Sequence, residues 1–453
     1  MLMETASQGK LISNSILEEM LKRYKYTKKP QQIDFRELVH WVQFGNRATH
    51  LIHQYPAKLL AHIPYFFLAN DILSQKNDFI LDPFCGSGTL LLETILANKK
   101  PIGSDSNPLA RLISKVKSTP ISNKRLINAF LKLQEDIDKN EEYIIPDVVN
   151  IDYWFYPHVI IKLSKIKYCI DKIKDEHIRD FFRVSLSNTI KKVSLADPHL
   201  SVPVKLRHDK HPKKSPRYKL VNERLNKLKR INVYSVFYGV VDKNIKRMSK
   251  FNELININPA NVAIFNDARD LSSKNKKIKT NSVQLIITSP PYAGAQKYIR
   301  SSSLNMGWLD LCSSRNLREH EDRNIGREHH HKHNYINYEQ CGIKDADRFL
   351  KELRKENPLR AHIASKYLNE MKDAFAESYR VLKKDGYFVL IAAPNNICGK
   401  VFNTHKYLSV IAKKLGLKLR LELIDDIRSR GLMTKRNKAA NVINSEWVYV
   451  FQK

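Results

Sequence analysis

The stretch Asp82-Pro-Phe-Cys-Gly-Ser-Gly-Thr89 decides the fold of this chain. It follows a compact apolar run at 78–82 and precedes a helical segment at 90–98, after which 100–105 has the pattern of a strand that ends in an acid. Strand, glycine loop, helix and strand form the βαβ unit of a doubly wound sheet. The stretch therefore predicts an α/β, Rossmann-like fold with a ligand site at the ends of these strands.

The two glycines of this loop indicate which ligand it takes. Gly86 and Gly88 lack the Cβ atom that would keep a ligand away from the backbone, and the following helix offers free N–H groups. Asp105 is placed to accept hydrogen bonds from ribose hydroxyls. Leu91 stands where the dinucleotide fingerprint has its third glycine, and no phosphate-binding Gly-Lys-Ser/Thr occurs. We therefore expect a nucleoside without a pyrophosphate.

A second motif, Thr288-Ser-Pro-Pro-Tyr292, also follows an apolar strand pattern, at 283–287. Two consecutive prolines fix φ and leave no N–H, so nearby carbonyls are free acceptors. The Ser289 hydroxyl, the Pro290 carbonyl and the Tyr292 ring together suit a planar base that bears an amino group. An isolated motif of this kind would be a plain turn. Its place at a strand end beside the glycine loop favours the functional interpretation.

The remaining patterns divide the chain into three parts. Residues 1–115 hold a helical lead-in, predicted for residues 1 to about 45, and the cofactor-binding half of the sheet. Residues 116–258 form a basic, mainly helical insertion, and 259–453 the catalytic half. Glycine is nearly absent from the insertion, where lysines alternate with leucine and isoleucine at helical spacing. In the last part we predict strands at 262–265, 283–287, 387–392 and 447–451, a helix at 375–382 and a turn at 384–386.

The net charge of the 453 residues is +32, with a sequence pI near 9.8. A lysine-rich proteome explains part of this excess, and an anionic membrane surface would also attract it. An imbalance of this size favours a polyanionic partner, because neutralised phosphates release counterions. The sequence shows no apolar run of membrane-spanning length and no secretory signal, so we expect a cytoplasmic protein.

Cysteine and histidine usage predicts no metal site. The five cysteines are scattered without a Cys-x-x-Cys pair, which excludes a disulfide framework and a cysteine-based zinc site. The cluster His329-His-His-Lys-His333 has no acidic or cysteine partner at metal-ligand spacing, so a polar loop is the favoured interpretation.

Taken together, the two motifs resemble those of the amino-methyltransferases of DNA. That family methylates cytosine N4 or adenine N6 with S-adenosyl-L-methionine, often as the modification partner of a restriction enzyme. His53-Gln-Tyr-Pro-Ala-Lys58, Asp267-Ala268 and Glu377 to Gly386 are similar to further family segments, and the resemblance covers most of 45–110 and 262–453. It implies the following cofactor-binding residues: Tyr55, Pro56, Lys58, Asp82, Phe84, Gly86, Gly88, Thr89, Asp105, Asn107, Asp267 and Ala268.

The resemblance also implies a catalytic set of Ser289, Pro290, Pro291 and Tyr292 and a base that is flipped out of the duplex. Tyr292 would stack on the base, while Ser289 and the Pro290 carbonyl accept the amino protons. In the family, a serine at the first position leans towards cytosine N4 and Asp or Asn towards adenine N6. We favour cytosine N4, and adenine N6 stays open.

Double-stranded DNA is the expected partner. The predicted contacts are basic residues of the insertion, of the segment after the catalytic motif and of a late glycine-containing loop: Lys213, Lys214, Arg217, Arg300, Arg430, Lys435 and Arg436. We expect a monomer that associates with the nucleoid when it acts and shares its site with a cognate restriction endonuclease without stable contact. Two rival interpretations are an RNA amino-methyltransferase and a non-enzymatic nucleic-acid-binding protein.

Overall fold

The computed structural model describes residues 2–44, 47–56, 58–255, 262–273, 276–294, 297–336, 339–426 and 445–453. Its helices are α1 (Leu2–Thr27), α2 (Phe35–Leu38), α3 (His62–Leu68), α4 (Thr89–Leu96), α5 (Pro108–Lys117), α6 (Asn123–Lys139), α7 (Ile151–Trp154), α8 (Pro157–Asp171), α9 (Glu176–Val193), α10 (Pro216–Lys229), α11 (Val233–Leu254), α12 (Tyr298–Trp308), α13 (Leu317–Asp322), α14 (Lys344–Glu356), α15 (Pro358–Val381) and α16 (Thr404–Lys414). Short 3-10 helices cover His208–Lys210 and Lys332–Tyr335.

The strands of the described residues are β1 (Gln31–Ile33), β2 (Phe79–Asp82), β3 (Lys100–Ser104), β4 (Ala263–Phe265), β5 (Ser272–Ser273), β6 (Lys276–Lys277), β7 (Val283–Thr288), β8 (Leu382–Ala392), β9 (Asn395–Ile397), β10 (Lys400–Phe402), β11 (Lys418–Asp426) and β12 (Ser445–Gln452). Eight of them form one sheet in the order β1-β11-β12-β8-β7-β2-β3-β4, in which β12 runs antiparallel to both its neighbours and every other pairing is parallel. The predicted doubly wound α/β fold is confirmed.

Alternating side chains of this sheet enter two different apolar cores. Ile80 and Leu285 face α1, α2 and α3, whereas Leu81 and Ile286 face the core that contains α14, α15 and α16. Strand order reverses between β2 and β7, since β3 and β4 follow β2 on one side and β8 follows β7 on the other. Ligand sites of open α/β sheets form at such a switch point, outside the carboxyl ends of the strands.

A third apolar core belongs to the helices between β3 and β4. It joins α5, α6, α8, α9 and α11, and it includes α12, which comes from beyond the catalytic motif and was not assigned from the sequence. Trp308 of α12 packs edge-on against Phe155, with ring centroids 5.4 Å apart. The segment after the catalytic motif therefore lies against the helices of the insertion. The three-part division of the chain itself stays a prediction.

Two expectations on local structure need correction. The helical lead-in ends at Thr27 and is followed by β1, rather than continuing to about 45. The predicted turn at 384–386 is a bulge within β8: Val283 pairs with Leu382, and Leu285 already pairs with Tyr387. Asp385 lies in this bulge and has a left-handed backbone conformation, with φ of 62°. Within the described residues, no helix is both long and apolar enough to cross a bilayer.

Candidate active site

The glycine loop, residues 83–88, connects β2 to α4 and is held by its own βαβ neighbourhood. The Gly86 N–H donates to Asp105 Oδ2 (2.9 Å), and the Gly86 carbonyl accepts from Ser114 Oγ (2.8 Å). Gly86 has φ of +48°, a region that favours glycine. It lines a cavity at the sheet edge, as a backbone approach to a ligand requires.

Gly88 serves packing, which corrects the expectation that both glycines face a ligand. Its φ is +74°, and a Cβ atom added there would lie 2.9 Å from the Cα of Ser114 on α5. Thr89 is the buried first residue of α4. Neither residue lines the cavity. Gly88 instead sets how closely the loop approaches α5, and the cofactor contact of Thr89 stays a prediction.

Asp82 lies beneath the loop and joins the two halves of the site. Its Oδ1 accepts hydrogen bonds from Thr288 Oγ1 (2.8 Å), at the end of β7, and from the Phe84 N–H (3.0 Å). Burial raises the pKa of Asp82 to about 7, although both hydrogen bonds act in the opposite direction. Asp82 does not line the cavity, so the structure places it as a link between strand ends.

Asp105 lines the cavity at the end of β3. Its two oxygens accept from the N–H groups of Gly86 (2.9 Å) and Asn107 (2.8 Å). Burial is the largest influence on this carboxyl and raises its pKa. Each carboxylate oxygen can accept a second hydrogen bond, so capacity for a ligand hydroxyl remains.

Asn107 lies outside the cavity lining and hydrogen-bonds to the residues around it. Its Oδ1 caps α5 by accepting from the Leu109 N–H (3.0 Å), and its Nδ2 donates to the Tyr55 hydroxyl (3.1 Å) and to Ser302 Oγ (3.1 Å). Tyr55 lines the cavity, whereas Asn107 does not. Asn107 therefore positions Tyr55 in this structure, and its own contact with the cofactor stays a prediction.

Lys58 and Pro56 also lie off the cavity. The Lys58 ammonium donates to the carbonyls of His53 (2.7 Å) and His50 (3.3 Å), which ties together the turn that precedes Tyr55. Burial lowers the pKa of Lys58 to about 8. These contacts direct the Lys58 ammonium towards the protein segment that carries Tyr55, and its contact with the cofactor stays a prediction.

The catalytic loop, residues 289–294, follows β7, the parallel neighbour of β2. Ser289 and Pro291 line the cavity; Pro290 is buried and does not. The Tyr292 hydroxyl accepts from the Ala393 N–H (3.2 Å), which anchors the loop to the end of β8. Tyr292 is half-buried and stands outside the cavity lining, so its first visible role is to anchor this loop.

Both loops therefore face one cavity, which encloses about 640 Å³ of space, part of it open to solvent. The predicted residues that line it are Tyr55, Phe84, Gly86, Asp105, Asp267, Ala268, Ser289 and Pro291. The residues that sequence reasoning missed, or left without a firm role, are Pro83, Ser106, Tyr298, Arg323, Asn324 and Ile325.

Residues 323–326, here called the strap, bring Arg323, Asn324 and Ile325 to the lining of the cavity. Ser106 Oγ donates to Asn324 Oδ1 (2.6 Å), and the Arg269 guanidinium donates to the Arg323 carbonyl (3.0 Å). No local sequence motif predicts the strap, because the residues that contact it lie near the ends of β-strands and on α15, far away in the sequence. Gly326 is its single sequence signal.

An ion-pair network fixes the strap to Asp267. Asp267 receives a two-pronged contact from Arg269 (2.9 and 2.7 Å), and Arg269 also pairs with Glu370 of α15 (3.3 Å). Glu370 pairs in turn with Arg327 (3.1 Å), whose second partner is Asp322 (3.5 Å). Planar guanidinium groups suit such shared carboxylates. Through Glu370 and Arg269, the residues just before and just after the strap are thus connected to Asp267, a predicted cofactor-binding carboxylate.

The predicted DNA contacts have different environments. Lys213 and Lys214 are exposed, as is Arg300 on α12, which does not line the cavity. Arg217 is paired with Asp197, a nearly buried carboxylate, while its side chain is exposed, so its contact with DNA stays a prediction. The late loop contacts lie outside the described residues: Arg430, Lys435 and Arg436.

The histidine cluster shows one close pair. His362 Nε2 and His330 Nδ1 are 3.2 Å apart, a distance that suits a single hydrogen bond. In the parts of the chain that the structure describes, no group of three or more histidine, cysteine or carboxylate side chains could hold a metal ion.

These features define an α/β protein of the Rossmann-like class with a cavity at its switch point. The family model described as DNA methylase matches residues 8–115, which contain the glycine loop and Asp105. The chain is also 29% identical over 278 residues to the type II methyltransferase M.MvaI of Kocuria varians. Residues 8–115 therefore match the DNA methylase family model, and the family resemblance that the motifs indicated is confirmed.

The extent of these similarities is partial. The alignment with the Kocuria protein covers 58% of this chain and 58% of that relative. A Thermus thermophilus protein described as a putative DNA modification methylase, solved with S-adenosyl-L-methionine, has a TM-score of 0.19 at 16% identity and covers 39% of this chain and 49% of its own. A SAM-dependent methyltransferase of Methanosarcina mazei has a TM-score of 0.30 at 10% identity and covers 84% of this chain and 94% of its own. Structural similarities with TM-scores this low carry no argument on the function of this chain.

Proposed function

We propose that this chain is an S-adenosyl-L-methionine-dependent DNA methyltransferase that modifies the N4 amino group of cytosine. The observation that carries the proposal is that Gly86, Asp105 and Ser289, from the two diagnostic loops and from the end of β3 on the far side of β2, line one cavity. A donor bound at the first loop and a base held at the second would then be close enough to react, which is the condition for direct transfer.

The residues of the cavity fit the proposed cofactor. Asp105 would hold the ribose hydroxyls, Asp267 and Ala268 the adenine edge, and Tyr55 with Gly86 the methionine end. When bound, S-adenosylmethionine supplies a methyl group on a sulfonium as the electrophile.

The catalytic loop would prepare the nucleophile. An exocyclic amino group is a poor nucleophile because its lone pair is delocalised into the aromatic ring. A hydrogen bond from this amino group to Ser289 Oγ increases electron density on the nitrogen. Ser289 faces the cavity, which supports this role, whereas Pro290 is buried beside it. Tyr292 would stack on the extruded base while its hydroxyl keeps the loop attached to Ala393.

The choice of cytosine N4 rests on serine at position 289, and adenine N6 is the alternative. A hydroxyl can accept from either amino group, so the test must read the product. Expression in a methylation-free host, followed by single-molecule sequencing of its DNA, should reveal N4-methylcytosine at one recurring sequence. N6-methyladenine would overturn the base assignment. Methyl transfer to tRNA without transfer to duplex DNA would overturn the DNA assignment.

Duplex DNA would bind at basic surfaces beside this site. Lys213 and Lys214 offer exposed charges, and a further group lies on α9 and α11 at Lys192, Lys243 and Arg247. Burial and then the like charges of Lys243 and Arg247 lower the pKa of Lys192, as expected where cations gather. Such a surface would take phosphates, which position a duplex without reading its sequence.

The cellular setting belongs to the same proposal. We expect a monomer in the cytoplasm that acts on the nucleoid as the modification partner of a restriction endonuclease with the same recognition sequence. The two enzymes would need no stable contact, since each reads the DNA by itself.

A further inference from the structure

The strap, residues 323–326, touches both halves of the candidate site. Asn324 and Ile325 line the cofactor cavity, and Gly326, the next residue, lies against the backbone of the catalytic loop. A four-residue segment is too short to bend freely between two such contacts. A displacement at one end is therefore expected to reach the other.

At the cavity end, the strap is held to the strand that carries the ribose-side carboxylate. Ser106, which follows Asp105 directly, donates to Asn324 Oδ1 (2.6 Å) and also lines the cavity. Asn324 Nδ2 donates to the His320 carbonyl (2.9 Å), which fixes the amide plane. A ligand that fills the cavity would press on Asn324 and Ile325 from within.

At the catalytic end, the fit is tight. The Gly294 N–H donates to the Gly326 carbonyl (2.9 Å). A Cβ atom added to Gly326 would lie 2.8 Å from the Tyr292 carbonyl oxygen and 3.3 Å from the Tyr367 ring, and the residue has φ of +77°. Only glycine allows this approach without displacing the catalytic loop.

A network of ion pairs holds the strap in place between these contacts. Glu370, nearly buried on α15, pairs with Arg269 and with Arg327, the residue that directly follows the strap. Arg269 also holds Asp267 of the cavity wall and the Arg323 carbonyl. The strap can therefore respond to the cavity without detaching from the protein.

We propose that the strap is a positioning element that couples occupation of the cofactor cavity to the position of the catalytic loop. Asn324 is the residue that responds to the ligand, and Gly326 is the residue that holds the loop. The inference rests on the proposed function, since it takes the cavity ligand to be S-adenosylmethionine. Filling the cavity orders the loop that receives the base, so cofactor and base bind with positive coupling. Couplings between two sites are commonly about 5- to 150-fold and act equally in both directions.

The Gly294 amide reports this coupling without DNA, because its hydrogen bond exists only while strap and loop are in contact. Hydrogen exchange of the full chain is measured with and without S-adenosylhomocysteine, whose affinity is measured by calorimetry. In the wild type, the ligand should slow exchange at Gly294 by about tenfold or more, within the usual range of such couplings. Ligand binding that leaves Gly294 exchange unchanged would overturn the proposal.

Gly326→Ala should still bind S-adenosylhomocysteine but lose the slowing at Gly294. Gly399→Ala is the matched control, since Gly399 has φ of +80° and nothing within 4 Å of the added Cβ. It should keep the wild-type response. If Gly326→Ala does not fold, Asn324→Ala tests the other end without a clash and should weaken both the affinity and the slowing.

The failure of the proposed function has a separate signature. A folded wild type that binds no S-adenosylhomocysteine would remove the cofactor assignment, and the strap inference with it. A wild-type response retained in both Gly326→Ala and Asn324→Ala would remove the strap inference alone.

Discussion

The glycine loop and the catalytic loop end neighbouring parallel strands, yet they are supported in different ways. The glycine loop is bonded to Asp105 and Ser114, 19 and 28 residues along the chain. The catalytic loop is attached through Tyr292 to Ala393, 101 residues away, and through Gly294 to the strap. One βαβ unit and its next helix therefore build the first loop, whereas the second needs the whole fold.

The comparison predicts that the glycine loop tolerates least change. In Gly88→Ala the new Cβ would meet the Ser114 backbone at 2.9 Å, in a left-handed conformation. We expect a loss of about 3 kcal/mol or more in unfolding free energy and no measurable cofactor affinity, by denaturant titration and calorimetry. Gly399→Ala, with open space around it, should cost only about 1 kcal/mol. Equal losses in the two variants would contradict the packing role of Gly88.

Ser289→Ala tests the chemistry of the catalytic loop. Loss of one hydrogen bond that strengthens during transfer should lower kcat by about 100-fold. The affinity for S-adenosylhomocysteine should stay near the wild-type value, because Asp105 and Tyr55 are unchanged. Ser303→Ala, which removes an exposed hydroxyl bonded to the Arg300 carbonyl, is the control for single-turnover assays. A normal rate for Ser289→Ala would remove Ser289 from the reaction.

Asp82→Asn tests the link between the two loops through pH. The folded pKa of about 7 lies above the unfolded value, so the stability contributed by the protonated carboxyl is complete below the unfolded pKa. It is lost as pH rises towards 7, by up to about 1.4 kcal/mol per pH unit. Unfolding free energies from pH 4 to 8 should show this slope in the wild type and a flatter one in Asp82→Asn.

The control for this experiment is Asp242→Asn, at an exposed carboxylate that pairs with Lys246. Its slope should match that of the wild type. A wild-type slope that survives in Asp82→Asn would mean that another group titrates in this range.

The smallest effect is expected outside both loops. Replacing Lys213 and Lys214 by alanine should reduce the dependence of log K on log salt by about 0.9 for each phosphate that the variant no longer neutralises. Cofactor affinity should not change. Fluorescence anisotropy with a duplex at several salt concentrations measures this slope, and Lys139→Ala on α6 is an exposed control. An unchanged slope would place the phosphate contacts on another surface, with Lys192 and Lys243 as the next candidates.

How much of the site could be predicted follows from the same contrast. Asp105 and Gly86 line the cavity, and their positions could be predicted because their partners lie within one local unit, whose geometry the motif implies. Their contacts with the cofactor stay a prediction. Asn107 and Lys58 were expected as ligand contacts. In the structure, Asn107 hydrogen-bonds to Tyr55, and Lys58 hydrogen-bonds to the segment just before Tyr55. A motif gives the spacing of residues but not the direction of their side chains. The strap was missed because no periodicity or motif marks residues 323–326.

By itself, the sequence determined the doubly wound sheet, the two loops at its switch point and the family resemblance. Strand order and loop position follow from local pattern and from the geometry of parallel strands. Only the tertiary structure decided which side chains reach the cavity, that α12 joins the helices of the insertion, and that Glu370 and Gly326 hold a strap against the catalytic loop. These contacts depend on the packing of segments far apart in the chain, and such packing leaves no local signature in the order of residues.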